Sequence, residues 1–385
     1  MKYLKLKLII FIYSIFGIYG TVFSQKFIYK SPPKSAYQFN TNQFLKVKNE
    51  YFRYAKNLTD YLPASYSTRG DVDYTTLIQK GIDLHESVIL PDFPILINDN
   101  GLKLRDNSKV LFQQNSVLIL KPSSKSQYSI ILMDGVSNVK VYFPKIKGDR
   151  VGHKGTKGQW GMGIWINNSQ NILVHNPYIT NCWGDGIYLG NVNNRPPNKD
   201  IQIIDGMLDN NRRNGISIIS GRNVEINGTF ISNTNGHNPQ SGIDIEPNSN
   251  EDVLDGIKLY NIKTYNNTMN GIVVSIGNLA GNTKKNIDIE IENHRDDYSY
   301  LGLSFIMSRN NSKMSMNNVT GKISVNNTKY NDQVFSPLMT YKGKKDSKVL
   351  LQLGEMEMYR KSRRIDLNKN LFIENLNKGI QYKVQ

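Results

Sequence analysis

GQWGMGIWINN (158–168), NCWGDGIYLG (181–190), NNRRNGISIIS (210–220) and SGIDIEPNSN (241–250) repeat one phrase: Gly, aliphatic, any residue, aliphatic. The phrase recurs at Gly271-Ile272-Val273-Val274 and Gly302-Leu303-Ser304-Phe305, so the Gly-to-Gly steps run 23, 29, 27, 29 and 31 residues. A period of this size marks a solenoid, a propeller or an array. Between the Gly phrases lies a second alternating run: Asn171–Val174, Asp200–Ile203, Asn223–Ile226 and Asn286–Ile289. Alternation over four or five residues reads as a half-buried strand, and the flanking Asn, Asp, Gly and Ser supply turns. The unit is therefore strand, turn, strand, turn. It is too short for a propeller blade, whose four strands need about 40–45 residues. Stacked units of this kind build an all-β solenoid, a parallel β-helix.

Alternation also assigns faces. The aliphatics of each phrase point inward. The residue two after Gly points outward, giving the column Trp165, Tyr188, Ser217, Asp244 and Val273. The residue four after Gly gives Asn167, Gly190, Ile219 and Glu246 beside it. Neighbouring coils are ~4.8 Å apart, so this face carries aromatics and acids side by side.

Outward from that block, residues 1–24 read as a secretory signal peptide. Lys2, Lys5 and Lys7 precede an apolar run from Leu8 to Ile18, and a small residue, Ser24, ends it. The run is shorter than a membrane span. The expectation is a secreted or periplasmic protein with no membrane association after cleavage. The single cysteine, Cys182, allows no disulfide framework and reads as a buried filler. Residues 25–70 read as an extended polar leader or linker. Residues 71–385 read as one β-helix domain, with an amphipathic helix near 73–84 capping the open first coil and less regular strands after about 330. Val88–Leu90, Leu102–Leu104, Val110–Phe112 and Val117–Leu120 are its first strands. The net charge of +16 is spread along the chain, which argues against a nucleic-acid stripe and suits attraction to an anionic polysaccharide. A monomer is expected.

The helix containing Ile78-Gln79, the Leu90-Pro91 step, the strand ladders and the segments IKGDRVGHKGT, QWGMGIWI, CWGDGIYLG and GIDIEPN together resemble the pectin-lyase-like right-handed parallel β-helix superfamily. The resemblance covers roughly residues 70–330 and is nearest to secreted bacterial polysaccharide lyases and glycosidases. It implies a right-handed coil and a glycan partner. The chain departs from the polygalacturonase pattern, with no Asp-Asp pair expected on a coil strand and no Gly-His-Gly. Against the Asp-Pro-His-Glu run of alginate epimerases, Asp244-Ile245-Glu246-Pro247 is a distant echo. Hydrolases, lyases, epimerases and non-catalytic adhesins share the fold, so fold alone does not choose.

The candidate catalytic residues are Asp185, Arg213, Asp244, Glu246 and His237. Asp185 enters the Tyr188 strand, Arg213 enters the next coil at the matching place, and Asp244 and Glu246 project from one strand. Two coils separate Asp185 from Asp244, on the order of 9–10 Å from the strand spacing, at the edge of the window for an inverting glycosidase. The same set suits a lyase in which Asp244 and Glu246 hold Ca²⁺ and Arg213 or His237 takes the proton. Trp160, Trp165, Trp183 and Tyr188 are candidate sugar platforms. Arg212, and Asp149, Arg150 and His153 in the loop before Gly158, are candidate substrate-binding groups.

Overall fold

The computed structural model describes residues 27–192, 194–307, 314–341, 347–364 and 381–384. The expected signal peptide, residues 1–24, lies outside them. Residues 27–31 contain no regular element, and the chain from Pro32 onward is a single compact unit.

That unit is a parallel β-helix of about nine coils, one for each of the nine strands in the sheet that carries the Gly phrases. Each coil contributes to three sheets rather than two. Sheet A holds the second alternating runs, such as Gln170–His175 and Asn198–Ile204; sheet C holds the Gly strands, such as Trp160–Asn167 and Ser241–Ile245. Sheet B, absent from the sequence-based unit, is built of short strands, of three residues in the middle coils, such as Tyr178–Thr180, Met207–Asp209 and Phe230–Ser232. Each of these three-residue strands turns its middle residue inward: Ile179, Leu208 and Ile231 are fully buried. A single inward residue leaves no alternation to detect.

The register stacks like on like. Ile131, Ile164, Ile187, Ile216, Ile243, Ile272, Leu303 and Leu338 are successive partners along sheet C, and all are buried. Each such side chain contributes roughly 1.5–3 kcal/mol on burial. The corners between sheets B and C are turned by Asn181, Asn210, Asn233 and Asn266, with φ between 53° and 58°. Asn tolerates this left-handed region better than other L-residues. Their side chains add a rung between coils: Asn210 Nδ2 donates to Asn181 Oδ1 at 2.7 Å, and Asn266 Nδ2 to Asn233 Oδ1 at 2.7 Å.

Glycine opens each phrase for a packing reason. A Cβ on Gly215 would lie 2.2 Å from Ile231 Cγ2 and 2.6 Å from the Gly242 carbonyl oxygen. The chain bends inward there, against sheet B and the next coil.

The cap expected near 73–84 is the helix α2 (Thr75–Leu84), which buries Ile78 and Ile82 beside the first coil. Asp73 accepts the Thr75 amide at 3.1 Å. The reading of 25–70 as a linker is corrected. Thr41–Tyr51 forms a helix, α1, capped by Asn40 Oδ1 on the Gln43 amide. Phe44 packs against Phe143, and Phe52 and Tyr51 against Tyr142. Its few apolar residues are spaced among Asn, Gln and Lys, so the segment reads as polar although one face is docked. After 330, where less regular strands were expected, most described strands keep the parallel register, although Arg363–Arg364 turns back antiparallel onto Met356–Arg360. Ser336–Tyr341 and Lys348–Leu353 continue sheets C and A in register.

Candidate functional site

Three successive coils of sheet C bring Asp185, Arg213, Asp244 and Glu246 to one face. Asp185 stands just before Gly186, and its carboxylate is fully buried. It accepts from Arg213 Nη1 at 2.7 Å, Ser217 Oγ at 2.7 Å and the Asn214 amide at 3.0 Å. Asn214 Nδ2 donates to Ser217 Oγ at 2.9 Å and to Asp244 Oδ2 at 3.1 Å. The network runs from Asp185 to Asp244 without a break.

Part of it is a ladder. The residue before Gly in each coil binds the next coil: Asp185 takes the Asn214 amide, Asn214 Oδ1 takes the Ser241 amide at 3.0 Å, and Asn270 Nδ2 donates to Ser241 Oγ at 2.9 Å. Asp185 is thus a charged rung, and its charge holds Arg213. The gap between Asp185 and Asp244 is bridged by Ser217 and Asn214. That argues against the expected pairing of these two acids across a water.

The unbalanced charge lies at Asp244 and Glu246. Asp244 is buried and Glu246 half-buried. Burial pushes the Asp244 carboxyl well above the usual carboxylate range, and Glu246 pushes it further against the pull of Arg213. Burial also raises Glu246, again opposed by Arg213. Burial pushes Asp185 up too, opposed first by Arg213. Three carboxyls and one guanidinium cannot all be charged cheaply in this setting, which favours a proton on the Asp244–Glu246 pair. The Glu246 carboxyl makes no hydrogen bond or ion pair among the described residues, while its backbone amide donates to the Ile218 carbonyl at 3.1 Å.

Beside the acids, Trp165 and Tyr188 meet edge to face, centroids 5.3 Å apart. Trp165 Nε1 donates to Asn167 Oδ1 at 2.7 Å. Burial pushes the Tyr188 phenol up to about 12, and its side chain bonds Asn248. Both rings are half-buried, and Trp160 is 39% exposed. These three remain available to a ligand.

Trp183 does not. The His153 ring stacks on it at 4.0 Å and 15°, and the Arg212 guanidinium lies 3.6 Å from its centroid. Two groups that close to one ring occupy opposite faces, so no sugar can stack there. His153 is held by Asp149 at 2.9 Å, and the same carboxylate takes the Ser123 amide and the Tyr128 hydroxyl. The Asp149 and His153 side chains are fully enclosed. Arg150 Nη1 donates to Asn210 O and Oδ1, and Nη2 to Asn235 Oδ1. The loop expected to bind substrate is a clasp locked onto the coils. His237 also stands apart from the acids: its Nδ1 pairs with the Asn238 carbonyl at 3.0 Å.

Ser217, Asn214, Asn248 and Tyr128 are the polar partners that the sequence reading did not select. Ser217 belonged to the outward column already identified, and that was the available signal. One further expectation is corrected. Asp296-Asp297 does lie on a coil strand, Arg295–Asp297 of sheet B, with Asp296 buried. Among the described residues no group of three or more His, Cys, Asp or Glu side chains is placed to hold a metal ion.

Comparison with known proteins agrees on the fold. The family described as "Right handed beta helix region" matches residues 95–237. The uncharacterized SPbeta prophage-derived protein YorA of Bacillus subtilis strain 168 is 27% identical over 162 residues, 38% of this chain and 28% of that protein. The match thus spans under a third of that relative's length. The Streptococcus pneumoniae surface protein and adhesin PfbA superposes with a TM-score of 0.56 at 14% identity, covering 81% of this chain and 87% of that one. A polygalacturonase from Erwinia carotovora superposes at 0.54 with 12% identity, covering 84% of this chain and 99% of that one. At these identities the likeness is one of fold.

Proposed function

On the scaffold of the pectin-lyase-like right-handed β-helix superfamily, we propose that this protein acts outside the cytoplasm on an acidic polysaccharide, cleaving a glycosidic bond by hydrolysis over sheet C. The observation that carries this reading is the Asp244–Glu246 pair. Asp244 lies on the strand Ser241–Ile245 and Glu246 directly follows it, and burial together with their mutual repulsion favours a proton on the pair. Residues two apart on a strand have Cα atoms ~6.5–7 Å apart, a spacing compatible with an acid and a base on either side of a water. Asp244 protonates the leaving oxygen, Glu246 activates the water, and Trp165 and Tyr188 bind sugar. Asp185 acts through Arg213 as a positioning residue.

Elimination and epimerisation have less support. Both need a base for the proton beside a uronate carboxylate. Arg213 is tied to Asp185, and that anion with Asp244 raises its pKa although burial opposes them. His237 is turned to its own loop. A calcium ion on Asp244 and Glu246 would be another way to offset their repulsion. Two carboxylates fall short of the six to eight oxygens such an ion takes, and Arg213 adds positive charge beside them, so no step is routed through it.

The second reading is a non-catalytic glycan-binding solenoid. It is favoured by the complete hydrogen bonding of the Asp185 carboxylate within the inter-coil ladder. One assay separates the readings: reducing-end release and ultraviolet absorbance of unsaturated uronates, followed over a panel of acidic and neutral polysaccharides. Hydrolysis predicts reducing ends without absorbance. Asp244→Asn should then lower the rate by ~10²–10⁴ with the melting temperature nearly unchanged. Binding without turnover on every glycan moves the adhesive reading ahead.

A further inference from the structure

The segment before α1 completes a second site, away from the acids of sheet C. Lys34–Ala36 forms a single 3-10 turn, and Tyr37 follows it onto the outer face of sheet B. The Tyr37 ring lies against Tyr178, centroids 4.7 Å apart at 34°. Between this segment and the sheet is a cleft of about 380 Å³, lined chiefly by Tyr37, Val117, Lys145, Lys147, Tyr178 and Thr180. That volume lies in the ~300–1,000 Å³ range of small-ligand sites.

Three features give the cleft a chemical preference. The Tyr37 hydroxyl is buried and has no hydrogen-bond partner, and a buried donor without a partner is costly. Lys145 and Lys147 are two apart on the strand Lys145–Lys147, so both ammonium stems leave the same face. Lys145 is already engaged, donating to the Gln114 carbonyl and lying 4.8 Å over the Phe39 ring. Lys147 is exposed and forms no ion pair among the described residues. An unpaired phenol donor, an unpaired ammonium and a wall of two tyrosines match a sugar that carries an anion on an otherwise ring-shaped body.

We propose that this cleft is a second glycan subsite, which takes the carboxylate of a hexuronate residue. Tyr37 Oη and Lys147 Nζ are its donors, and the tyrosine rings and Val117 form its apolar wall. The cleft would hold an acidic chain on the flank of the solenoid while sheet C acts elsewhere on it. The inference rests on the acidic-polysaccharide reading only for the substrate class.

The test is calorimetric titration of the full chain carrying Asp244→Asn, which slows turnover, with trimers of galacturonate, glucuronate and mannuronate. Maltotriose is the neutral control and inorganic sulfate the anion control. The expected result is binding of at least one uronate trimer, weakened about tenfold by Tyr37→Phe and by Lys147→Gln separately, as for a lost hydrogen bond to a charged group. Tyr37→Phe removes one oxygen atom and should leave the melting temperature in place. Failure of all three trimers to bind overturns the proposal. So does binding that survives both substitutions, equal binding of maltotriose, or sulfate binding without uronate binding. None of these results touches the turnover assay that tests sheet C.

Discussion

At the residue scale, the buried cluster beneath sheet B is the sharpest case of chemistry set by position. The inward column that holds Ile179, Leu208 and Ile231 turns polar at Thr264 and Asp296 and continues through Tyr330 to Met358. Thr264 Oγ1 donates to Asp296 Oδ2 at 2.6 Å and pairs with His294 Nε2 at 2.8 Å. Ser299 Oγ and Gln333 Nε2 also donate to Asp296. Burial pushes the Asp296 carboxyl up to about 7, against these donors. Burial pushes His294 down to about 3. The two have opposite linkage. Asp296 holds a proton that the unfolded chain lacks between about 4 and 7, so its contribution is full below that window and is lost as pH rises through it. His294 lacks a proton that the unfolded chain holds between about 3 and its ordinary 6.5, so its contribution is lost as pH falls through that window. From about pH 4 to 6.5 the slopes oppose each other. Asp296→Asn should therefore make stability rise with pH over that interval relative to wild type. His294→Gln should make it fall. Denaturant titrations at four pH values check both signs, and parallel curves for the three proteins would refute the assignment. Trp183 belongs at this scale too. With His153 and Arg212 on its faces, Trp183→Ala should lower the melting temperature and leave glycan affinity unchanged, a result read by thermal melts beside the titrations above.

At the scale of the element, glycine decides the shape of the coil. Gly215→Ala adds one methyl where Ile231 Cγ2 and the Gly242 carbonyl already stand. Overpacking of this kind costs typically 1–3 kcal/mol, and with a backbone oxygen as one neighbour the relief is small. The check is a urea titration of Gly215→Ala against the wild-type chain. Equal midpoints would mean that the coil can yield at this corner. The same residues explain what was legible beforehand. Gly-Ile-x-Ile announces its faces because three of its four positions are dictated by packing, and so the outward column of Trp165, Tyr188, Ser217 and Asp244 could be read directly. The three-residue strands of sheet B could not, since a strand with one inward residue has no period. Nor could the partners of the outward groups. The sequence shows that Trp183 and Asp149 have functional side chains, but not that His153 closes one face of the ring or that Tyr128, from an earlier coil, closes the carboxylate. Those contacts join residues 21 to 30 positions apart, and only the coil register brings them together.

For the whole molecule, a solenoid is stabilised by neighbour contacts, so its flanks and ends matter more than those of a globular core. No helix among the described residues is long and apolar enough to cross a membrane. Both described α-helices are instead spent on covering apolar surface. α2 lies beside the first coil. α1 and the residues before it lie along the flank, where Phe39, Phe44 and Phe143 meet at 5.4–5.8 Å and Gln43 Nε2 pairs with His175 Nε2 at 2.9 Å. A linker and a docked strap make opposite predictions for one deletion. Removing residues 32–52 takes away the buried side chains of Phe44, Val47 and Phe52, each contributing roughly 1.5–3 kcal/mol, and bares Phe143 and Tyr142. The truncated protein should melt several degrees lower and bind more of a hydrophobic dye. The network from Asp185 to Asp244 involves none of the deleted residues, so turnover on any substrate found for the full chain should persist below the new melting temperature. Uronate binding at the Tyr37 cleft should disappear with the segment. An unchanged melting temperature would return these residues to the status of a linker. Loss of turnover in a folded truncation would show that the flank and sheet C work as one binding surface.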